Sequence, residues 1–317
     1  MNAKRIVVTG SSGFLGRHLT PLLQARYGAQ NVVALTSRDY DLLEQQQVRR
    51  LFAELKPEIL VHLAAYSGGI GANQAFPADF YYRNTVLTTL VFHEAARNAV
   101  KKLIYPMGGC SYPATASSPI DEEQMWNGFP QAESSGYSTA KKMGIVASRC
   151  YRQQYGFNSV VIIPGNMYGE YDNFRTSESH VIPAMIRRFY EAKRRKVNEI
   201  VIWGTGEAVR DFVYAADVAA VFPHFIENYN SSEPVNISSG TRTSIRELAE
   251  TIKEQMQFPG TIHWDTSKPN GQMVKIFDVA RLRGLGLSCS TPLQKGLQKT
   301  ISWFSSHYET RGDGIRL

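Results

Sequence analysis

Tyr137 and Lys141 stand four residues apart in Tyr137-Ser-Thr-Ala-Lys141, a spacing that puts both side chains on one face of a helix. A phenol and an ammonium so placed form an acid–base pair. The positive charge is expected to lower the tyrosine's pKa, so that the phenol gives or takes a proton near neutrality. The ammonium can also hydrogen-bond a ribose. Lys142 points about 140° away from Tyr137 by helix geometry and is no equal substitute. A second group is Gly10-Ser-Ser-Gly13-Phe-Leu-Gly16. Gly10 allows a tight turn, Gly13 lets backbone N–H groups approach a pyrophosphate, and Gly16 permits close packing of a helix on a sheet. The start of that helix favours the negative charge.

These two groups together point to a nicotinamide dinucleotide. An NAD-selective site usually ends its second strand on an acidic residue that holds the ribose hydroxyls. Here the strand ends Leu35-Thr36-Ser37-Arg38. Arg38 suits a 2′-phosphate through charge-assisted hydrogen bonds, so NADP(H) is preferred. Asp39 and Asp41 follow closely and keep NAD(H) possible. The third strand ends His62-Leu-Ala-Ala65, where Ala64 and Ala65 let the chain lie beside the cofactor, and His62 reads as a packed core residue.

The elements that must hold these residues are legible as alternation. Arg5–Thr9, Val32–Leu35, Ile59–Leu63, Leu103–Tyr105 and Ser159–Ile163 read as strands buried on both faces. Helical patterns run over Phe14–Tyr27, Leu43–Leu55, Asp79–Asn98 and Tyr137–Tyr155. The expected fold is α/β: a Rossmann-type doubly wound parallel sheet over residues 1–165, with a smaller C-terminal α/β substrate lobe over 166–317, some segments of which return to the first. Ile200–Trp203 and Thr261–Trp264 read as isolated strands in that lobe. A chain of 317 residues with 43% hydrophobic and 20% charged residues is neither disordered nor a coiled coil. No apolar run reaches a membrane span, and Met1–Arg5 leads towards a strand rather than a signal peptide, so a cytoplasmic protein off the membrane is expected. Cys110, Cys150 and Cys289 are too few and too scattered for a disulfide framework or a zinc site, so no metal is expected. The formal +7 charge permits an anionic partner, but no basic stretch is interleaved with stacking aromatics, which argues against nucleic acid.

Further stretches carry a resemblance. Gly68-Gly-Ile-Gly-Ala-Asn73, Cys110-Ser-Tyr-Pro113, Tyr168-Gly-Glu-Tyr-Asp-Asn-Phe174, Ser179-His-Val-Ile-Pro183, Trp203-Gly-Thr-Gly206, Arg210-Asp-Phe212 and Asp265-Thr-Ser-Lys-Pro-Asn-Gly271 lie across both lobes. With them the chain resembles the extended short-chain dehydrogenase/reductases, and within these the GDP-L-fucose synthase branch. That resemblance implies a nucleotide-diphosphate sugar substrate, a GDP-4-keto-6-deoxyhexose, and a homodimer joined through helices of the large lobe. It implies inversion at C3 and C5 by Cys110 and His180, then reduction at C4 with NADPH through Tyr137 and Lys141. An imidazolium beside the thiol would favour thiolate. The family's cofactor contacts map onto Gly10, Ser12, Gly13, Phe14, Gly16, Arg38, Asp41, Ala64, Tyr137, Lys141, Pro164, Asn166 and His180. Its substrate contacts map onto Asn166, Arg188, Trp203, Arg210 and Lys268.

The sequence departs from that pattern at Met107-Gly108-Gly109-Cys110. The family carries a serine or threonine at the position of Gly108, whose hydroxyl helps polarise the 4-keto oxygen. Pro164-Gly165-Asn166 likewise lacks the usual threonine. The alternative is therefore a non-reducing nucleotide-sugar epimerase or dehydratase that recycles a tightly bound NAD(P). A non-catalytic nucleotide-binding protein is opposed by the intact Tyr137 and Lys141.

Overall fold

The computed structural model describes residues 5–175, 178–268 and 270–311. Met1–Lys4, read above as leading into the first strand, and Pro269 of the Asp265–Gly271 stretch lie outside these. The short β-branched runs become β1 (Ile6–Thr9), β2 (Val32–Leu35), β3 (Ile59–His62), β4 (Lys102–Pro106) and β5 (Ser159–Pro164). The chain then passes through β6 (Asn166–Tyr168), β7 (Glu199–Trp203), β8 (Val209–Arg210) and β9 (Phe212–Tyr214), and returns to the sheet with β10 (Val235–Ile237). The sheet order is β10-β5-β4-β3-β1-β2, and every pair is parallel. Because β2 lies on one side of β1 and β3 on the other, a crevice opens at the C-terminal ends of β1 and β3, where such sheets bind ligands.

Helices cover both faces. On one, α1 (Phe14–Tyr27) places Leu15, Leu19 and Leu23 against Ile6, Val8 and Val61. On the other, α2 (Gln45–Leu55) buries Leu51 and Phe52. After α3 (Ile70–Ala75), α4 (Pro77–Arg97) buries Val91 and Phe92, and α5 (Ser135–Tyr155) buries Ile145. Pro77 is the first residue of α4, where a missing N–H costs nothing. Tyr81 and Tyr82 on α4 and Met143 and Val146 on α5 stay exposed.

The second lobe is built on α6 (Val181–Arg194) and, after α7 (Ala215–Glu227), on α8 (Ile245–Gln255), with Ile186, Phe189, Leu248, Ile252 and Phe304 as its core. Helix α7 does not belong to that lobe: its Val218 and Phe222 join the core beneath α1. Following β11 (Thr243–Ser244), β12 (Thr261–Asp265) pairs in parallel with β7. The two strands that read as isolated are therefore partners, each satisfying the other's backbone groups. Finally β13 (Val274–Lys275) and β11 flank β8, with Lys275 in register with Arg210. Among the described residues no helix is long and apolar enough to cross a membrane, and no group of three or more His, Cys, Asp or Glu could hold a metal ion.

Candidate active site

A cleft of about 1380 Å³ runs between the sheet's C-terminal edge and the second lobe. That exceeds the roughly 300–1,000 Å³ of a pocket for one small ligand and suits two molecules end to end. At its base Gly10 turns with φ +70°, and a Cβ there would stand 2.7 Å from the Ala64 nitrogen. Ser11 ties the turn to β2, its N–H and hydroxyl both donating to the Leu35 carbonyl at 3.0 and 2.9 Å. Gly13 caps α1 without any side-chain hydrogen bond, and the first turn carries no acid. Among the described residues the first N–H groups of α1 thus have no side-chain partner and are open to an anion. Ser12, Phe14, Asp41, Ala64, Pro164 and Asn166 line the same cleft.

Arg38 has an exposed side chain and stands outside the lining, beside Ser37, which belongs to it. The nearest acid is folded back: Asp39 accepts from the Thr36 N–H at 2.7 Å and its hydroxyl at 2.9 Å, and those bonds lower its pKa. His62 is fully buried, with Nδ1 2.8 Å from the Thr9 hydroxyl. Burial, then the charge of Lys141, pushes it down to about 3 from an ordinary 6.5. Between those values the unfolded chain binds the extra proton, so stability is full above pH 6.5 and is lost as pH falls towards 3. The expected slope from this group is at most about 1.4 kcal/mol per pH unit. Urea midpoints across that range should show it, and His62→Gln should flatten it; equal slopes in the two proteins would refute the assignment.

Tyr137 is the third residue of α5, its ring edge-on to Phe80 at 6.2 Å. Its pKa moves up, not down as the spacing alone predicts. Burial, then the negative charges of Cys110 and Tyr105, disfavour phenolate. Lys141 is buried with Nζ 3.9 Å from the centre of the Tyr105 ring. Burial pushes it down to about 7, with Cys110 opposing that fall. Lys142 turns away, as expected, and lies 4.4 Å over Trp126.

Cys110 sits half-buried in the short turn Gly109–Ser111 after β4. A Cβ built on Gly108 would lie 3.2 Å from the Cys110 sulfur and 3.7 Å from the Tyr137 hydroxyl. The Cys110 sulfur and the Tyr137 hydroxyl therefore converge on one point, the position of Gly108. The neighbouring glycines have packing reasons. A side chain on Gly109 would run into the Phe277 ring, and one on Gly165 into the Ser238 hydroxyl. His180 immediately precedes α6 and opens onto the cleft, yet the protein around it pushes its pKa below the usual histidine value. The expected imidazolium is disfavoured, and negative charge on Cys110 opposes the fall that burial imposes on Lys141 and Lys275.

At the far end Trp203 is 63% exposed and lines the cleft, with Lys268 Nζ 5.9 Å from its ring. Lys268 itself is outside the lining. Arg188 donates to the Val201 carbonyl at 2.6 Å and Arg210 to that of Val209 at 2.9 Å, so both guanidiniums are held at the wall. Asn166 donates to the Asp211 carbonyl at 2.9 Å. Sequence reading missed Lys275, which lines the cleft beside Arg210. Its one signal is a lone cation in the apolar run Val274-Lys-Ile-Phe277.

The sequence matches the NAD dependent epimerase/dehydratase family over residues 6–238. It is 38% identical over 305 residues to the "Probable GDP-L-fucose synthase 1" of Oryza sativa subsp. japonica, covering 95% of this chain and 92% of that protein. A GDP-6-OMe-4-keto-L-xylo-heptose reductase from C. jejuni is similar in structure with a TM-score of 0.88 at 28% identity, covering 97% of this chain and 99% of that one. A GDP-L-fucose synthetase from Naegleria fowleri bound to NADP gives 0.87 at 27% identity, covering 98% and 96%. With a nucleotide-binding cleft of this build and relatives matched across both lobes, the chain belongs to the NAD dependent epimerase/dehydratase family.

Proposed function

We propose that the protein is a GDP-sugar epimerase/reductase that inverts C3 and C5 of a GDP-4-keto-6-deoxyhexose and reduces C4 with NADPH. The observation that carries this reading is the convergence of Cys110 and Tyr137 around Gly108. The relative named a GDP-L-fucose synthase and the Naegleria structure with NADP support the substrate class and the cofactor. The glycine turn, the free N-terminus of α1 and the small residues of β3 fit a dinucleotide. Gly10, Ser12, Gly13, Phe14 and Gly16 would hold its pyrophosphate, Arg38 and Asp41 the adenosine end, and Ala64, Lys141, Pro164, Asn166 and His180 the rest. NADPH, when bound, supplies the hydride for C4.

The residues supply the protons. A 4-keto group acidifies the hydrogens on both neighbouring carbons, so one acid–base pair can invert either centre through an enolate. His180, held neutral, is the acceptor, and the Cys110 thiol is the donor. Tyr137, kept protonated by its surroundings, donates a hydrogen bond to the enolate oxygen and a proton to the C4 alkoxide. Arg188, Arg210 and Trp203 would hold the diphosphate and the base, with Lys268 over the indole.

Incubation with GDP-4-keto-6-deoxy-D-mannose in D₂O tests this. Without NADPH, deuterium should enter at C3 and C5; with it, NADPH should be consumed mole for mole. Absence of both overturns the proposal. Gly108 favours one second reading, a non-reducing epimerase or dehydratase with recycled cofactor, and co-purified oxidised cofactor without net NADPH turnover would select it.

A further inference from the structure

Lys275 lines the same cleft as Cys110 and has no role in the scheme above. Its place follows from the fold. The segment from Val274 to Phe277 is extended, pairing with β8 at Lys275 and bridging Ile120 at Phe277. Side chains two apart on an extended segment share a face. Phe277 packs its ring onto Gly109, the residue before Cys110, so Lys275 projects on the side of that same turn. No described carboxylate pairs with its ammonium. Burial pulls its pKa below the lysine range, while negative charge on Cys110 pushes it back up and Arg210 pulls it down. Charge on Cys110 acts on Tyr137 and Lys141 from α5 and on Lys275 from β13, with Arg210 in register with the last.

We infer that Lys275 is the positioning charge for Cys110, the cation that faces the sulfur when the thiol gives up its proton. The step balances: the S–H bond breaks, a C–H bond forms at the enolate carbon of the keto-sugar, and the electron pair left on sulfur faces an ammonium. The thiolate then recovers a proton from the imidazolium formed at His180. This takes over part of what a hydroxyl at position 108 would contribute, through charge on the sulfur rather than on the sugar oxygen. The inference rests on the reading of Cys110 as proton donor, but its test needs no sugar.

Alkylation of Cys110 by iodoacetamide, followed by peptide mass spectrometry so that the exposed Cys150 does not interfere, reads the thiolate directly. Lys275→Met should slow alkylation at pH 7.5 about tenfold and move its pH profile upward by about one unit, while Lys275→Arg should restore most of the rate. NADPH binding and circular dichroism establish that each variant is folded. If Lys275→Met does not fold, the comparison moves to Lys275→Gln. An unchanged alkylation profile in a folded Met or Gln variant overturns the inference. A shifted profile in a protein that exchanges no deuterium upholds it and defeats the sugar reading instead.

Discussion

Tyr137→Phe is expected to lower NADPH-dependent reduction about 10³-fold and to leave NADPH affinity within a few-fold. The substitution keeps the ring, so the edge-on contact with Phe80 survives. No described hydrogen bond ties the hydroxyl to the fold, so stability should be unchanged. What is lost is the proton. Burial and the negative charges of Cys110 and Tyr105 keep this phenol protonated, as its proposed donation to the carbonyl oxygen requires. Lys141 at about 7 cannot take its place, because its ammonium is directed at the Tyr105 ring. Deuterium exchange at C3 and C5 should fall as well, since the same hydroxyl is proposed to support the enolate. A phenylalanine variant that keeps a tenth or more of the parent NADPH oxidation rate would remove Tyr137 from the chemistry.

That reversal of sign at Tyr137 marks where sequence reading stops. The spacing from Tyr137 to Lys141 is local, and the helix it implies is there. The raised pKa of Tyr137 comes from burial, then from Cys110 and Tyr105, which only the sheet brings alongside. The glycine turn was legible for the same local reason, since β1, the turn and the start of α1 are continuous in the chain. Strand β10 was not, because Val235–Ile237 is too short to show a period and its partner β5 lies far upstream. Gly108 and Gly165 looked alike as missing hydroxyls. Packing separates them: Ser238 fills the space at Gly165, whereas Gly108 faces the Cys110 sulfur and the Tyr137 hydroxyl. Lys275 was invisible as a site residue because Cys110, which lines the same cleft, comes from the other half of the chain.

Gly16→Ala sets two opposed effects against each other, and their magnitudes decide the outcome. In an ordinary helix the change would stabilise by about 1 kcal/mol. Here the new methyl would point at the Gly10 carbonyl oxygen and stand 2.6 Å from that of Ser11. These are backbone atoms, and neither side can yield. Ser11 is fastened twice to Leu35, Gly10 lies against Ala64, and α1 is fixed by Leu15, Leu19 and Leu23 in the core. Overpacking of this kind costs about 1–3 kcal/mol, which equals or exceeds the propensity gain. The helix start must then lift from the turn, and the N–H groups that would face a pyrophosphate move with it. NADPH affinity should fall at least about 100-fold, or about 2.7 kcal/mol, with a lower urea midpoint. Gly13→Ala is the control, because a Cβ there meets only the Gly10 carbonyl, at 3.1 Å, and a few tenths of an ångström relieve it. It should bind NADPH at least tenfold more tightly than Gly16→Ala. Equal affinities in the two variants, or titration calorimetry placing Gly16→Ala within threefold of the parent, would show that close packing of α1 on the turn is not what forms the cofactor site.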